Sequence, residues 1–210
     1  MKNIFNLDGP AMQFMLSLRD LAVLNILFLL CCIPIVTIGP SLTALFTVTF
    51  RMAENKEGYV GREFLHAFKE NMKQSIGAEL VLILPILILS FNLFFWSSLK
   101  SILGTIVSVF CILFLVILIG MLCYTFPLIA KFENTVKQTL HNALYFATQY
   151  KGYTLALIAL IFVQAFVLIL TVATTTLMLI FGFAFFSYID ATILLKLLKR
   201  FYQEQETLAE

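Results

Sequence analysis

The chain has 210 residues, of which 61% are hydrophobic and 12% charged, far from the soluble averages of about 45–50% and 25%. The formal charge is +2 and the 14 Lys and Arg are spread over short connections, which excludes the clustered basic footprint of a nucleic-acid binder. Four charge-free runs, Leu21 to Phe50, Leu80 to Leu99, Ser101 to Ala130 and Gly152 to Ile189, hold 30, 20, 30 and 38 residues. Too little chain remains for a soluble catalytic domain, so 1–210 reads as a single transmembrane domain.

About 20 apolar residues at 1.5 Å each cross a ~30 Å hydrocarbon layer. Lipid offers no hydrogen bonds to the backbone, and alternating ten-residue strands are absent from the sequence, so the expected class is all-α: a polytopic helix bundle. The stretch from Met1 to Pro10 carries only Lys2 before Asp8, and the apolar run starts after Arg19 and Asp20. That is a poor match to a cleavable signal, and the first helix is expected to be retained.

Within the first run, Pro34 and the Gly39-Pro40 pair impose a break, with Pro40 suited to the opening of a new helix. If residues 16 to 36 span and 40 to 53 lie along the interface, the chain crosses five times. If the short Pro-bounded helix returns through the membrane as a sixth span, the number is six. Fourteen residues reach only about 21 Å, which favours five.

The runs at 80–99 and 101–130 predict one helix each, with Pro85 and Pro127 inside the pattern. The 38-residue run fits two spans joined near Thr171 to Thr176, where hydroxyls can satisfy freed backbone groups. Trp96, with Phe91, Phe94 and Phe95 beside Lys100, reads as an aromatic belt at the outer surface.

Lys and Arg fix the orientation, because cytoplasmic loops are enriched in them. Five lie between Arg51 and Glu79, three between Lys131 and Lys151, and three at Lys196, Lys199 and Arg200. Five crossings leave Lys2, Arg19 and Lys100 outside, whereas six leave Lys100 alone, so charge favours six. Both counts put the two long loops and the C-terminus in the cytoplasm.

Those loops are patterned as two cytoplasmic amphipathic helices. In the first, Phe64, Leu65, Phe68, Met72 and Ile76 share a face beside a stripe of Arg62, His66, Lys69 and Lys73. In the second, Phe132, Val136, Leu140, Ala143, Ala147 and Tyr150 lie opposite Lys137, His141, Asn134 and Gln138. The two share a weak phrase, Glu70 to Ser75 against Glu133 to Thr139, one residue out of step. Each helix can lie on the headgroups with its basic residues on anionic lipid, or it can dock on a partner protein.

Charges at bilayer depth persist only for a reason. Asp20, Glu79 and Asp190 lie at the edges of apolar runs, and the deep polar residues Asn25, Asn92 and Gln164 are amides suited to interhelical hydrogen bonds. Cys31, Cys32, Cys111 and Cys123 have neither zinc nor redox spacing, and His66 and His141 lack a third ligand. No metal, no cofactor and no catalytic residue is expected, and phosphate-loop, zinc-protease and nucleophile-elbow patterns are missing from the sequence. The chain reads as a non-enzyme.

The stretch from Leu24 to Leu45, with its Cys32-Ile33-Pro34-Ile35-Val36-Thr37-Ile38-Gly39-Pro40 core, resembles the signature of the YesL family of small bacterial membrane proteins. The segments Phe64 to Gln74 and Pro127 to Gln138 resemble it as well. The resemblance implies a place in the bacterial cytoplasmic membrane and an accessory role in carbohydrate uptake by ABC transporters, and it supplies no established site residues.

Two functions follow as expectations. In the first, a non-enzymatic accessory protein uses Arg62, His66, Lys69, Lys73, Phe64 and Phe68 to meet lipid or a transporter permease or ATPase subunit. In the second, an independent carrier or channel for a sugar-related solute, alone or assembled from several copies as a homo-oligomer, has its site at the break formed by Asn25, Pro34, Gly39 and Pro40, where a broken helix can aim backbone groups at a ligand.

Overall fold

The computed structural model describes residues 10–56, 58–99 and 101–209, with side chains described over 15–56, 58–99 and 101–203. Lys2 and Lys100 of the charge count, and the stretch before Pro10, lie outside the described residues. All described elements are helical. They are α1 (Pro10–Cys31), a 3-10 turn (Ile35–Thr37), α2 (Ile38–Ala53), α3 (Val60–Glu70), α4 (Met72–Ser98), α5 (Ile102–Lys131), α6 (Val136–Gln149), α7 (Lys151–Leu170), α8 (Val172–Leu177), a π turn (Met178–Gly182) and α9 (Phe183–Ala209).

Local chemistry sets the boundaries. The Ser101 side chain accepts from Gly104 N and opens α5, while Thr135 with Gln138 and Thr171 with Thr174 form reciprocal capping boxes at α6 and α8. The turn is confined to Thr171, the first residue of the stretch expected to turn: α7 stops at Leu170, Thr174 to Thr176 already lie within α8, and Thr175 Oγ1 donates to Leu168 O at 2.7 Å. Asn55 takes the left-handed conformation, φ 53°, that lets the chain reverse between α2 and α3.

Two apolar cores meet on α2. Phe46 and Phe50 join Tyr124, Phe126, Phe146, Leu194 and Leu197 from α5, α6 and α9. On the other side Ala44, Leu45 and Val48 join Leu24, Phe28, Phe64, Ala67 and Ala184. Eleven of the sixteen α2 residues are buried, so this helix is enclosed by its neighbours over most of its surface. Gly39, Ser41, Thr43 and Ala44 are small enough for neighbouring helices to close around it.

Among the described residues, five helical stretches are long and apolar enough to cross a membrane: Ile35–Ala53, Met72–Ser98, Ile102–Lys131, Lys151–Leu170 and Val172–Gln203. The short Pro-bounded helix, with the turn before it, is among these five. The others carry large apolar side chains on their outer faces, such as Leu84, Phe91 and Phe94 on α4, Ile106, Phe110 and Leu113 on α5, and Phe162, Phe166 and Ile169 on α7. Such continuous exposed apolar surface suits acyl chains rather than water, and the chain is a membrane-embedded helical protein.

Candidate functional site

The charged residues gather at one end of the bundle, around an open cleft of about 1030 Å³ between α3, the end of α2 and the turn joining α5 to α6. One wall carries Arg62, His66 and Glu70, one α-helical turn apart. The opposite wall carries Lys131, Glu133, Asn134 and Gln138. Arg51 NH1 lies 2.9 Å from Glu63 Oε1, His66 Nδ1 lies 3.4 Å from Glu70 Oε2, and Lys131 pairs with Glu54 while standing 5.5 Å from the centre of the Phe50 ring. Arg62 has no ion pair among the described residues. Tyr59, 86% exposed, stands on the rim.

The hydrogen bond from Lys131 holds the Glu54 carboxyl below the usual carboxylate range, with desolvation opposing and Lys56 adding to the shift. The cleft walls themselves carry alternating charged and amide side chains. Among the described residues no three His, Cys, Asp or Glu side chains gather as a metal site.

Of the basic stripe, Arg62 and His66 line the cleft, whereas Lys69 and Lys73 are exposed but outside it. Phe64 is fully enclosed against α1 and α2, and half-buried Phe68 stacks on it at 6.4 Å. Phe64 is thus covered by the protein's own helices and unavailable to lipid or to a partner, whereas Leu65 of the same face stays exposed. The second patterned helix behaves alike: Thr139, Ala143 and Phe146 are buried, with Phe146 stacked 6.0 Å from Tyr124 of α5.

Sequence reasoning missed the partners that complete the cleft. The signal was present in the weak shared phrase: Glu70, Asn71 and Gln74 face Glu133, Asn134 and Gln138, and Gln74 Nε2 donates to Asn134 O.

The residues of the break are placed differently. Asn25 Nδ2 donates to Met178 O at 3.3 Å and to Leu179 O at 2.7 Å, and Oδ1 accepts from Ala184 N at 2.9 Å. A π turn frees backbone groups from the ordinary ladder, and Asn25 spends three of its four bonding positions on them. Glu79, read from sequence as an edge residue, is 3% exposed and accepts from Gly39 N at 3.0 Å. A carboxylate is thereby placed at the positive end of α2. Pro40 is buried and has no N–H to offer, while Pro34 is exposed on the turn.

A family model described as "Protein of unknown function, DUF624" matches residues 21–93, about a third of the chain. That family includes YesL-like membrane proteins. The match runs from α1 through the break and α3 into α4, so it takes in Asn25, the Gly39–Glu79 contact and the basic wall of the cleft. No curated protein matches the chain, and no solved structure matches it.

Proposed function

We propose that the protein is a non-enzymatic accessory subunit of the bacterial cytoplasmic membrane that receives a permease or ATPase subunit of a carbohydrate ABC uptake transporter on its polar cleft. The C-terminus and the cleft face the cytoplasm in this reading. The observation that carries it is the cleft itself, with Arg62, His66 and Tyr59 exposed at the end of the bundle where the basic loops converge. The transporter as partner rests on the resemblance to the YesL family, and the positive loops support the orientation.

The rival reading, an independent carrier with its site at the break, is weakened by how the break uses its groups. Gly39 N is taken by Glu79, and Asn25 is committed to the π turn. A ligand there would have to displace internal hydrogen bonds.

The test is purification of the tagged protein in mild detergent beside an Arg62→Glu, His66→Glu double variant. Transporter subunits are expected with the parent and reduced at least tenfold with the variant. Recovery of equal amounts with both, or of none with either, would overturn the reading. Flux of a sugar through vesicles holding only this protein would establish the rival.

A further inference from the structure

We propose that α1 and α2 form a re-entrant hairpin that enters the bilayer from the cleft side, turns inside the hydrocarbon at Ile33 to Val36 and leaves on the side it entered. The membrane would then be crossed fully only by α4, α5, α7 and the α8–α9 stretch. The inference stands independently of the proposed partner.

Three contacts set the depth of the hairpin. Arg51 of α2 meets Glu63 of α3, Thr43 Oγ1 lies 2.8 Å from Ser75 Oγ, and Gly39 N meets Glu79, so α2 runs antiparallel along α3 and the first turns of α4. Beyond Glu79, α4 continues nineteen residues to Ser98, about 28 Å at 1.5 Å per residue. The hairpin turn therefore falls roughly a hydrocarbon thickness short of the tip that joins α4 to α5.

At the other end, Arg19, Asp20 and Val23 of α1 line one surface hollow with Gly58 to Arg62, which puts the charged turn of α1 beside the α2–α3 loop. Between the charged residue at its open end and the turn, each arm has only about 16–18 Å of helix, from Asp20 to Cys31 and from Gly39 to Arg51, short of the ~30 Å hydrocarbon layer although Ile35–Ala53 as a whole is long enough to span. Both arms begin and end at the same face.

The turn is built for lipid. Ile33, Pro34, Ile35 and Val36 are all exposed, with Ile33 and Ile35 each 75% accessible, and they continue the outward apolar face of Ile26 and Leu30. Irregular backbone survives at membrane depth only where its polar groups are satisfied. Here Cys32 N donates to Phe28 O, Thr37 N to Pro34 O, and Thr37 Oγ1 to Cys31 O at 2.7 Å. Ser41 Oγ donates to Thr37 O at 2.6 Å, Gly39 N to Glu79, and the two prolines present no N–H. The hairpin also reconciles charge with length: both arms can be short while Arg19 stays on the side of the basic loops.

The experiment uses single cysteines at Met15, Ile35, Tyr59 and Leu99 in a chain whose Cys31, Cys32, Cys111 and Cys123 are serine, probed with a membrane-impermeant maleimide in spheroplasts and in inverted vesicles. Met15→Cys and Tyr59→Cys are expected to react in inverted vesicles alone and Leu99→Cys in spheroplasts alone, with Ile35→Cys reacting only after detergent is added. Reaction of Met15→Cys and Tyr59→Cys on opposite sides, or of Ile35→Cys from either side without detergent, overturns the proposal. In the natural cysteine background, Ile35→Trp combined with Trp96→Phe should be quenched more than twofold by lipids brominated at mid-chain. Absence of quenching would likewise overturn it.

Discussion

The backbone N–H of Gly39 and the carboxylate of Glu79, forty residues apart in sequence, meet at 3.0 Å inside the helix bundle. The contact joins the start of α2 to α4 and closes the turn beneath it. A Cβ on Gly39 would lie 2.8 Å from Glu79 Oε2, 2.9 Å from Phe126 Cε1 and 3.0 Å from the backbone oxygen of Ser75. Gly39→Ala should therefore destabilise by about 1–3 kcal/mol, since the Ser75 backbone cannot move aside cheaply. Thermal unfolding in detergent checks this, and an unchanged midpoint would show that the three neighbours relax freely.

Glu79 itself separates acceptor from charge. Glu79→Gln keeps an oxygen for Gly39 N and should lose less stability than Glu79→Ala, which leaves that N–H without its partner at a cost of about 1–3 kcal/mol. The same melting experiment ranks the two variants, and the reverse order would contradict the cap.

Asn25 is the corresponding fastener on the other side of the bundle. Asn25→Leu preserves size but strands Met178 O, Leu179 O and Ala184 N, for a loss of about 1–3 kcal/mol. Asn25→Asp keeps the acceptor for Ala184 N and loses both donors. Hydrogen exchange over Met178 to Ala184 should rise in both variants. If it rises no more there than in α4, Asn25 does not hold the π turn.

Acid should loosen the Glu54–Lys131 ion pair beside the cleft. Glu54 has its carboxyl pKa lowered in the folded chain, first by Lys131, with Lys56 assisting and Arg51 close by. A depressed folded value stabilises above the unfolded carboxylate pKa, and that stability is lost as pH falls through the folded pKa. The effect is small because the group is partly exposed. Glu54→Gln should lower the melting midpoint near pH 7 and narrow the gap between midpoints at pH 7 and at strongly acidic pH. Equal acid sensitivity in parent and variant would rule Glu54 out as a contributor.

Much of the helical layout was legible because lipid enforces long apolar runs: Thr171 as the turn of the last hairpin followed from length and hydroxyl chemistry alone. The burial of α2 was not legible, since its fourteen-residue length pointed to an interface and only three-dimensional packing shows Gly39, Thr43 and Ala44 enclosed. Phe64 misled for a related reason. Periodicity identifies an apolar face, but it does not say whether lipid, a partner or the chain's own α1 and α2 covers it. The cleft was half legible: the basic residues of one wall stood out, while the facing wall was visible only as a phrase repeated out of step.

A photocrosslinking side chain in place of His66 reports directly, in living cells, what occupies the cleft. If the cleft receives a transporter subunit, an adduct with a permease or ATPase subunit of a carbohydrate transporter is expected, and Arg62→Glu diminishes it. Adducts confined to lipid or to a second copy of this chain would contradict it.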